Sequence, residues 1–306
     1  MYKYIIDKAT RTGTAHERRG NPNEDRHFVY QENGCIWMGV FDGVSQGGGG
    51  GQAASLALES MESILEDSLN KDIHYIGLSI MESAQEAILD AQVKHPEYGA
   101  LQSTGAIACI NLINRSLTWF SIGDSAVFVC PRKKLPIKLT TEDTDIGERL
   151  SQGKISRNTA LKATVGHELK RWLGMDIAPK GIRRFIRTGT RPLDQDDIIM
   201  VCSDGFYSKM PPRLFNRLVW KREDAKVLAK KAKDLGSQDD ITIIYARPIA
   251  EKPTMQIHHK IAIAVFMFSL VFLCGVVIII LLKEKSNYAR LISQWPVLET
   301  FTQMIC

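Results

Sequence analysis

The chain has 306 residues, 44% hydrophobic and 24% charged, an ordinary globular composition with room for one large domain or two small ones. A formal charge of +5, from 39 basic and 34 acidic residues, is mild, and without a zinc-finger or basic-aromatic motif it gives no footing for a nucleic-acid partner. The six cysteines are scattered with no Cys-x-x-Cys pair and four lie in apolar runs, which argues against a disulfide frame or a zinc site and suits a reducing compartment.

Taken in order, Tyr2–Ile6 is a short apolar opening strand, and no apolar signal segment precedes it, so the bulk of the chain is expected in the cytoplasm. The polar stretch Thr12–Gly20 leads to Asn23-Glu24-Asp25, just ahead of the strand residues Phe28-Val29-Tyr30. Cys35–Val40 is an unbroken apolar run, read as a strand buried on both faces, and after Phe41 it stops at Asp42-Gly43. A charge at the end of a buried strand is costly unless paired, and the adjacent glycine lets backbone approach a ligand; an ordinary Asp-Gly turn is the other reading. The five glycines Gly47–Gly51 lack the Lys-Ser/Thr ending of a nucleotide loop and are expected to be a flexible hinge opening a helix.

Gln52–Leu69 and Tyr75–Val93 carry apolar residues at helical spacing, including Leu56, Met61, Ile64 and Leu65 in the first and Ile76, Ile80, Ala84, Ala87 and Ile88 in the second. Three strands follow at Ala106–Ile113, Leu117–Ile122 and Ala126–Cys130, with Asn114-Arg115 as the turn between the first two. Thr140–Lys180 is a long, mixed insert with helix-like pieces around Ile146–Gln152 and Glu168–Leu173, a pattern typical of functional loops. Arg183, Arg184, Arg187 and Arg191 read either as a solvated face or as a surface for acidic substrates or anionic lipid. Ile198–Cys202 ends in Ser203-Asp204-Gly205, Glu223–Leu235 is a basic helix, and Asp239-Asp240 opens the strand Ile241–Tyr245.

Ile261–Leu282 is different in kind: 22 residues without a charge, matching the ~20 needed to cross a bilayer. Basic residues on both flanks leave the charge rule for orientation nearly silent, so the large domain is placed inside on the absence of a signal. The expected organisation is a domain over 1–248, a juxtamembrane linker over 249–260, a transmembrane helix over 261–282 and a short tail over 283–306.

Five strand ends are therefore acidic, at Asn23-Glu24-Asp25, Asp42, Asp124, Asp204 and Asp239-Asp240. Brought to one rim of a sheet, they make an all-oxygen site for a hard divalent cation such as Mg²⁺ or Mn²⁺.

These residues resemble a known family, the metal-dependent protein serine/threonine phosphatases of type 2C. Its motifs stand in family order over Gly13–Arg247, as Asn23-Glu24-Asp25, Val40-Phe41-Asp42-Gly43, Ser103-Thr104-Gly105, Ile122-Gly123-Asp124-Ser125, Leu139-Thr140, Cys202-Ser203-Asp204-Gly205 and Asp239-Asp240-Ile241-Thr242. The resemblance implies an α+β fold, a four-layer α-β-β-α sandwich of two antiparallel sheets flanked by helices. It also implies two divalent cations, with Asp42 bridging both, Asp204 and Asp239 completing the first ion's shell, and the Gly43 carbonyl and Glu24 serving the second. Asp124 matches a position that helps hold a third, weaker ion, and Asp25 and Asp240 resemble residues that tune the shell. Metal-activated water would attack phosphoserine or phosphothreonine directly, and Thr140–Gly174 resembles the flap that borders the site.

The departures also matter. Where many members carry a phosphate-binding arginine four residues before the glutamate, this chain has Gly20, with Arg19 beside it as a substitute or as a solvated side chain. Val44 stands where relatives often have a histidine acid; His16 is either its replacement or a hydrogen-bonded structural residue, and Ala126 stands where arginine is frequent. The expected activity is hydrolysis of phosphoproteins at the cytoplasmic face of a membrane, opposed by a serine/threonine kinase. The rival is a membrane-tethered pseudophosphatase that binds phosphoproteins without cleaving them; a structural calcium site is a further alternative.

Overall fold

The central strands are apolar on every residue because their two faces serve two different cores. In β3 (Cys35–Phe41), Trp37 and Phe41 meet a helical layer while Ile36, Met38 and Val40 meet a second sheet. The computed structural model describes residues 3–249, apart from 46–47, 69–70, 133, 157–158, 161–162 and 164, and residues 257–293.

Beside β3 in the first sheet lie β2 (Arg26–Glu32), β4 (Gly105–Asn111), β5 (Ser116–Ile122) and β8 (Arg187–Pro192), in the order β2-β3-β4-β5-β8. The second sheet has the order β1-β10-β9-β6-β7, built from β1 (Tyr4–Arg11), β6 (Ala126–Cys130), β7 (Ile137–Lys138), β9 (Ile198–Cys202) and β10 (Ile241–Pro248). Every pairing in both is antiparallel. Val127, Val129, Ile199, Val201 and Ile244 of the second sheet pack against Met38, Val40, Ala106 and Ile110 of the first, forming the middle of the sandwich.

Helices cover the outer faces. Six described helices belong to this part of the chain besides the four-residue turn α5 (Asp204–Tyr207): α1 (Thr14–Arg19), α2 (Gly50–Glu66), α3 (Ile73–Lys94), α4 (Asp145–Ser151), α6 (Pro212–Trp220) and α7 (Ala225–Asp234). Ala53, Ala57, Ile80 and Ala84 of α2 and α3 lie on Trp37, Ile107 and Phe120. Phe206, Phe215 and Leu228 of α5, α6 and α7 lie on Phe128, Met200 and Tyr245. The α-β-β-α sandwich expected from the resemblance is the fold observed.

Some expectations are corrected. The segment Glu168–Leu173 is extended, not helical: Leu173 exchanges both backbone hydrogen bonds with Ser103, at 2.7 and 3.1 Å, and the Lys170 amide donates to the Asp143 carbonyl at 2.7 Å. With those groups committed across the chain, the i→i−4 ladder of a helix has no donors left there. The glycine run is less a hinge than a close-packed start: Gly49 caps α2, and a β-carbon on Gly50 would lie 2.6 Å from the Gly43 carbonyl carbon. Gln46 and Gly47 lie outside the described residues.

The chain divides into two compact units, Met1–Ala250 and Glu251–Cys306. In the second, α8 (Ile257–Ser293) contains Val265–Asn287, 23 residues of mean hydropathy 3.2, long and apolar enough to cross a membrane.

Candidate metal centre

The site is built where strands of both sheets end. Asp42 follows β3, and its carbonyl accepts from the Thr104 amide at 2.8 Å and the Ser103 hydroxyl at 3.0 Å, so the entry to β4 fixes the backbone that carries it. Asp204 follows β9 through Ser203, whose amide donates to the Thr242 carbonyl and whose hydroxyl donates to Asp25 Oδ2 at 2.9 Å. Gly205 then passes so close to the other strand that a β-carbon there would lie 2.0 Å from the Asp240 carbonyl oxygen. Gly205→Ala is therefore expected to push the Asp204 and Asp239-Asp240 segments apart at a cost of about 1–3 kcal/mol. Calorimetry should show the lower melting temperature, and an unchanged one would mean that the close approach positions nothing.

Asp240 ties the start of the domain to its last strand. Its carboxylate accepts from the Gly13 amide at 2.7 Å, the Glu24 amide at 2.6 Å and lies 2.8 Å from His16 Nδ1. On its other side His16 Nε2 lies 2.9 Å from Ser45 Oγ, which donates to Glu24 Oε2 at 2.6 Å. His16 is thus hydrogen-bonded through both ring nitrogens. Arg26 completes the loop by donating to the carbonyls of Asn23 and Asp25. These bonds place Glu24 and Asp25 next to Asp240, although more than 200 residues separate them.

The carboxylates share one field. Asp42 is pushed well above the ordinary carboxylate range, first by loss of water and then by the charges of Asp25, Asp204, Asp239 and Asp124. Asp204 is displaced in the same direction by the same cause, with Asp124 and Asp239 its strongest like-charged neighbours. Burial raises Asp25 to about 7, helped by Asp240 and Asp239; burial also raises Asp124 to about 7, with Glu142 adding and Lys138 opposing. Asp239 rises too, although its side chain stands at an exposed rim; displaced solvent comes first and the neighbouring Asp240 charge adds. Asp42, Asp124 and Asp204 are themselves half-buried, so the field is open to solution ions.

The donor chemistry fits hard divalent cations: oxygen ligands only, crowded like charges, and a buried Asp25 Oδ1 with no hydrogen-bond partner among the described residues. The cage is not closed, since no three His, Cys, Asp or Glu side chains among the described residues form a group that holds an ion unaided.

In the metal-free protein the sign of the pH dependence follows. Folded Asp25 and Asp124 keep their protons to about pH 7, whereas an unperturbed carboxyl at 3.8 has lost its own. Stability from these groups is full below about pH 4 and is lost as pH rises through about 7. Melting in a chelator should therefore occur at lower temperature at pH 8 than at pH 5, and the reverse order would contradict the shared field.

Arg19 is exposed and pairs with nothing among the described residues. It lines a cleft of about 380 Å³ together with Asn21, Glu24, Arg26, Ser45 and Gln52. Of the four arginines of the 183–191 run, Arg183 grips Glu82 at 2.5 and 2.6 Å, and Arg187 grips Asp143 at 2.8 and 3.0 Å.

Two groups escaped the sequence reading. Asp143, fully buried, accepts from the Gly123 amide at 3.0 Å and from both Arg171 and Arg187, which fastens the insert beside Asp124. Lys138 donates to Glu142 at 2.5 Å and to the Tyr207 hydroxyl at 2.8 Å, and Tyr207 donates to the Asp124 carbonyl at 2.7 Å. The four-residue spacing of Lys138 and Glu142 was visible; Tyr207, 65 residues on, was not.

A family model described as Protein phosphatase 2C matches residues 12–236. A search of curated proteins finds no match. Among solved structures, the chain is similar to the serine/threonine phosphatase Stp1 from Staphylococcus aureus, with TM-score 0.69, 18% identity, and coverage of 80% of this chain and 95% of that one. It is also similar to the Mycobacterium tuberculosis serine/threonine phosphatase PstP/Ppp, with TM-score 0.63, 17% identity, and coverage of 81% and 99%. A third similar structure is the PstP catalytic domain in complex with two manganese ions, with TM-score 0.63, 18% identity, and coverage of 81% and 100%.

Proposed function

The chain belongs to the protein phosphatase 2C family, and from that premise we propose that it hydrolyses phosphoserine and phosphothreonine in proteins with two divalent cations, Mg²⁺ or Mn²⁺. The observation that carries this reading is the mutual charge field of Asp42, Asp204 and Asp239, reached from three separate strand ends. A structural relative was solved with two manganese ions, which supports the same ion count here.

Asp42, Asp204, Asp239, Glu24 and the Gly43 carbonyl would hold the ions. Two bound divalent ions would bring the pKa of a water towards neutrality and stabilise an in-line displacement at phosphorus. The chain's own part is to keep the carboxylates in register. Ser103 and Thr104 do so for Asp42, Ser203 links Asp25 to the Asp204 turn, and Asp240 seats Glu24. Arg19, on the open cleft beside Glu24, is the cation available to receive the substrate phosphate.

In this reading residues 261–282 span a membrane, 249–260 link the span to the catalytic domain, and 283–306 form a tail. The catalytic domain is cytoplasmic and faces phosphoproteins made by an opposing kinase; confinement to a thin layer raises its effective concentration for membrane-bound substrates. The second reading is a tethered module that binds phosphoproteins without turnover, and what favours it is Gly20 and Val44 where relatives often have a phosphate-binding arginine and a histidine acid.

Release of phosphate from a phosphoserine peptide by the full chain in detergent micelles, titrated with Mn²⁺, decides between them. Metal-dependent turnover is expected. Peptide binding with no turnover at any Mn²⁺ concentration would establish the binding module instead.

A further inference from the structure

At the Asp124 side of the centre the positive charge is already supplied by the chain. The sequence has Ala126 after Asp124-Ser125, and no arginine reaches back from β6. Instead β7 pairs Lys138 with Phe128 and delivers an ammonium group from the neighbouring strand. Lys138 Nζ donates to Glu142 Oε1 at 2.5 Å and to Tyr207 Oη at 2.8 Å, and its side chain is only 19% exposed. Tyr207 Oη lies 3.1 Å from Glu142 and donates to the Asp124 carbonyl at 2.7 Å, so lysine, glutamate and tyrosine form one bonded unit on the backbone of Asp124.

The electrostatics agree with that geometry. Burial by itself would raise Glu142, but the Lys138 charge and hydrogen bond, with Tyr207, outweigh it and hold the carboxyl below its ordinary value. Tyr207 is committed as a donor to the Asp124 carbonyl. Glu142 is in turn one of the charges felt by both Asp124 and Asp204. Without Lys138, the Glu142 charge that bears on Asp124 and Asp204 would lose the ammonium group bonded to it. That is the condition under which a hard divalent ion is drawn in.

We propose that Lys138 is a resident cation that takes the place of a third metal ion, holding the Lys138–Glu142–Tyr207 unit on Asp124 and limiting the centre to two ions. The proposal rests on the two-ion reading of the site. It assigns Lys138 a positioning role; it does not touch substrate.

The test counts ions directly. Full-length protein in detergent micelles is freed of metal and titrated with Mn²⁺, with free Mn²⁺ followed by electron paramagnetic resonance. The parent is expected to bind two ions. Lys138→Met is expected to gain a third, bound about tenfold or more tighter than any further ion on the parent, because the variant no longer places a positive charge beside an incoming cation. Lys138→Arg, which keeps the charge, is expected to remain at two. Should Lys138→Met fail to fold, Lys138→Gln, which can still hydrogen-bond Glu142 without the charge, serves the same comparison. Three ions on the parent, or two on every variant, would overturn the proposal; no ion on the parent would overturn the two-ion reading instead.

Discussion

Asp42→Asn is expected to lower turnover of a phosphoserine peptide by about a thousandfold while raising the melting temperature of the metal-free protein. The two effects have one origin. Without metal, Asp42 sits half-buried in the field of Asp25, Asp204, Asp239 and Asp124, and each negative charge added there is repelled. An amide of the same shape removes the repulsion, so the empty fold gains. With metal, on the proposed reading, the same charge would hold the ions. Charge stabilisation by bound ions is worth several kcal/mol, and each 1.36 kcal/mol is a decade of rate, which gives the ~10³-fold loss. Calorimetry in chelator and kcat/KM at saturating Mn²⁺ measure the two halves. Mn²⁺ should also raise the parent's melting temperature more than the variant's, because an ion stabilises only the state that binds it. A variant that keeps its turnover and melts earlier without metal would make Asp42 a structural residue.

Asp143→Ala is expected to lower the melting temperature by about 5–10 °C. The Asp143 side chain is 0% exposed and takes up Arg171 and Arg187 on one oxygen and the Gly123 amide on the other. Truncation leaves two guanidinium groups and a backbone N–H without their acceptor. Breaking a buried ion pair from one side costs roughly 3–5 kcal/mol. Because Arg171 and Arg187 are 28% and 35% exposed, water replaces part of the loss, leaving about 2–3 kcal/mol at 2–4 °C each. Turnover should fall as well, since Gly123 adjoins Asp124. Glu148→Gln removes only the outer partner of Arg171 and Lys170 and should shift melting by about 1 °C. Equal, small shifts in both variants would mean that the insert is not fastened through Asp143.

How much of this was readable depended on the range of the force that fixed each element. β3, β6 and β9 were legible because burial on two faces leaves nothing polar to interrupt the run. Their acidic ends were legible for the complementary reason, that a charge stopping such a run needs a purpose. α1 was not: it has six residues with only His16 buried, and Asp240 holds it from the far end of the domain. β8 alternates half-buried and exposed residues in the run Arg187–Pro192, so its arginines outweighed its pairing with β5. α6 has its apolar stripe at Phe215 and Val219, short enough to pass for a loop. At the site, the carboxylates were visible in sequence, while the groups that orient them, Asp143 with its arginines and Lys138 with Tyr207, are joined only by tertiary contacts.

The pairing of β1 with β10 runs from Tyr4 opposite Pro248 to Arg11 opposite Ile241, and the carboxylate that seats Glu24 lies just before it. A ribosome makes the first of these strands at the outset and the second near the close. Until residue 248 has emerged, the opening strand has no partner and Glu24 has no seat. Fragments released early would therefore lack an assembled site, and the carboxylates come together only when the apolar C-terminal helix is already being made.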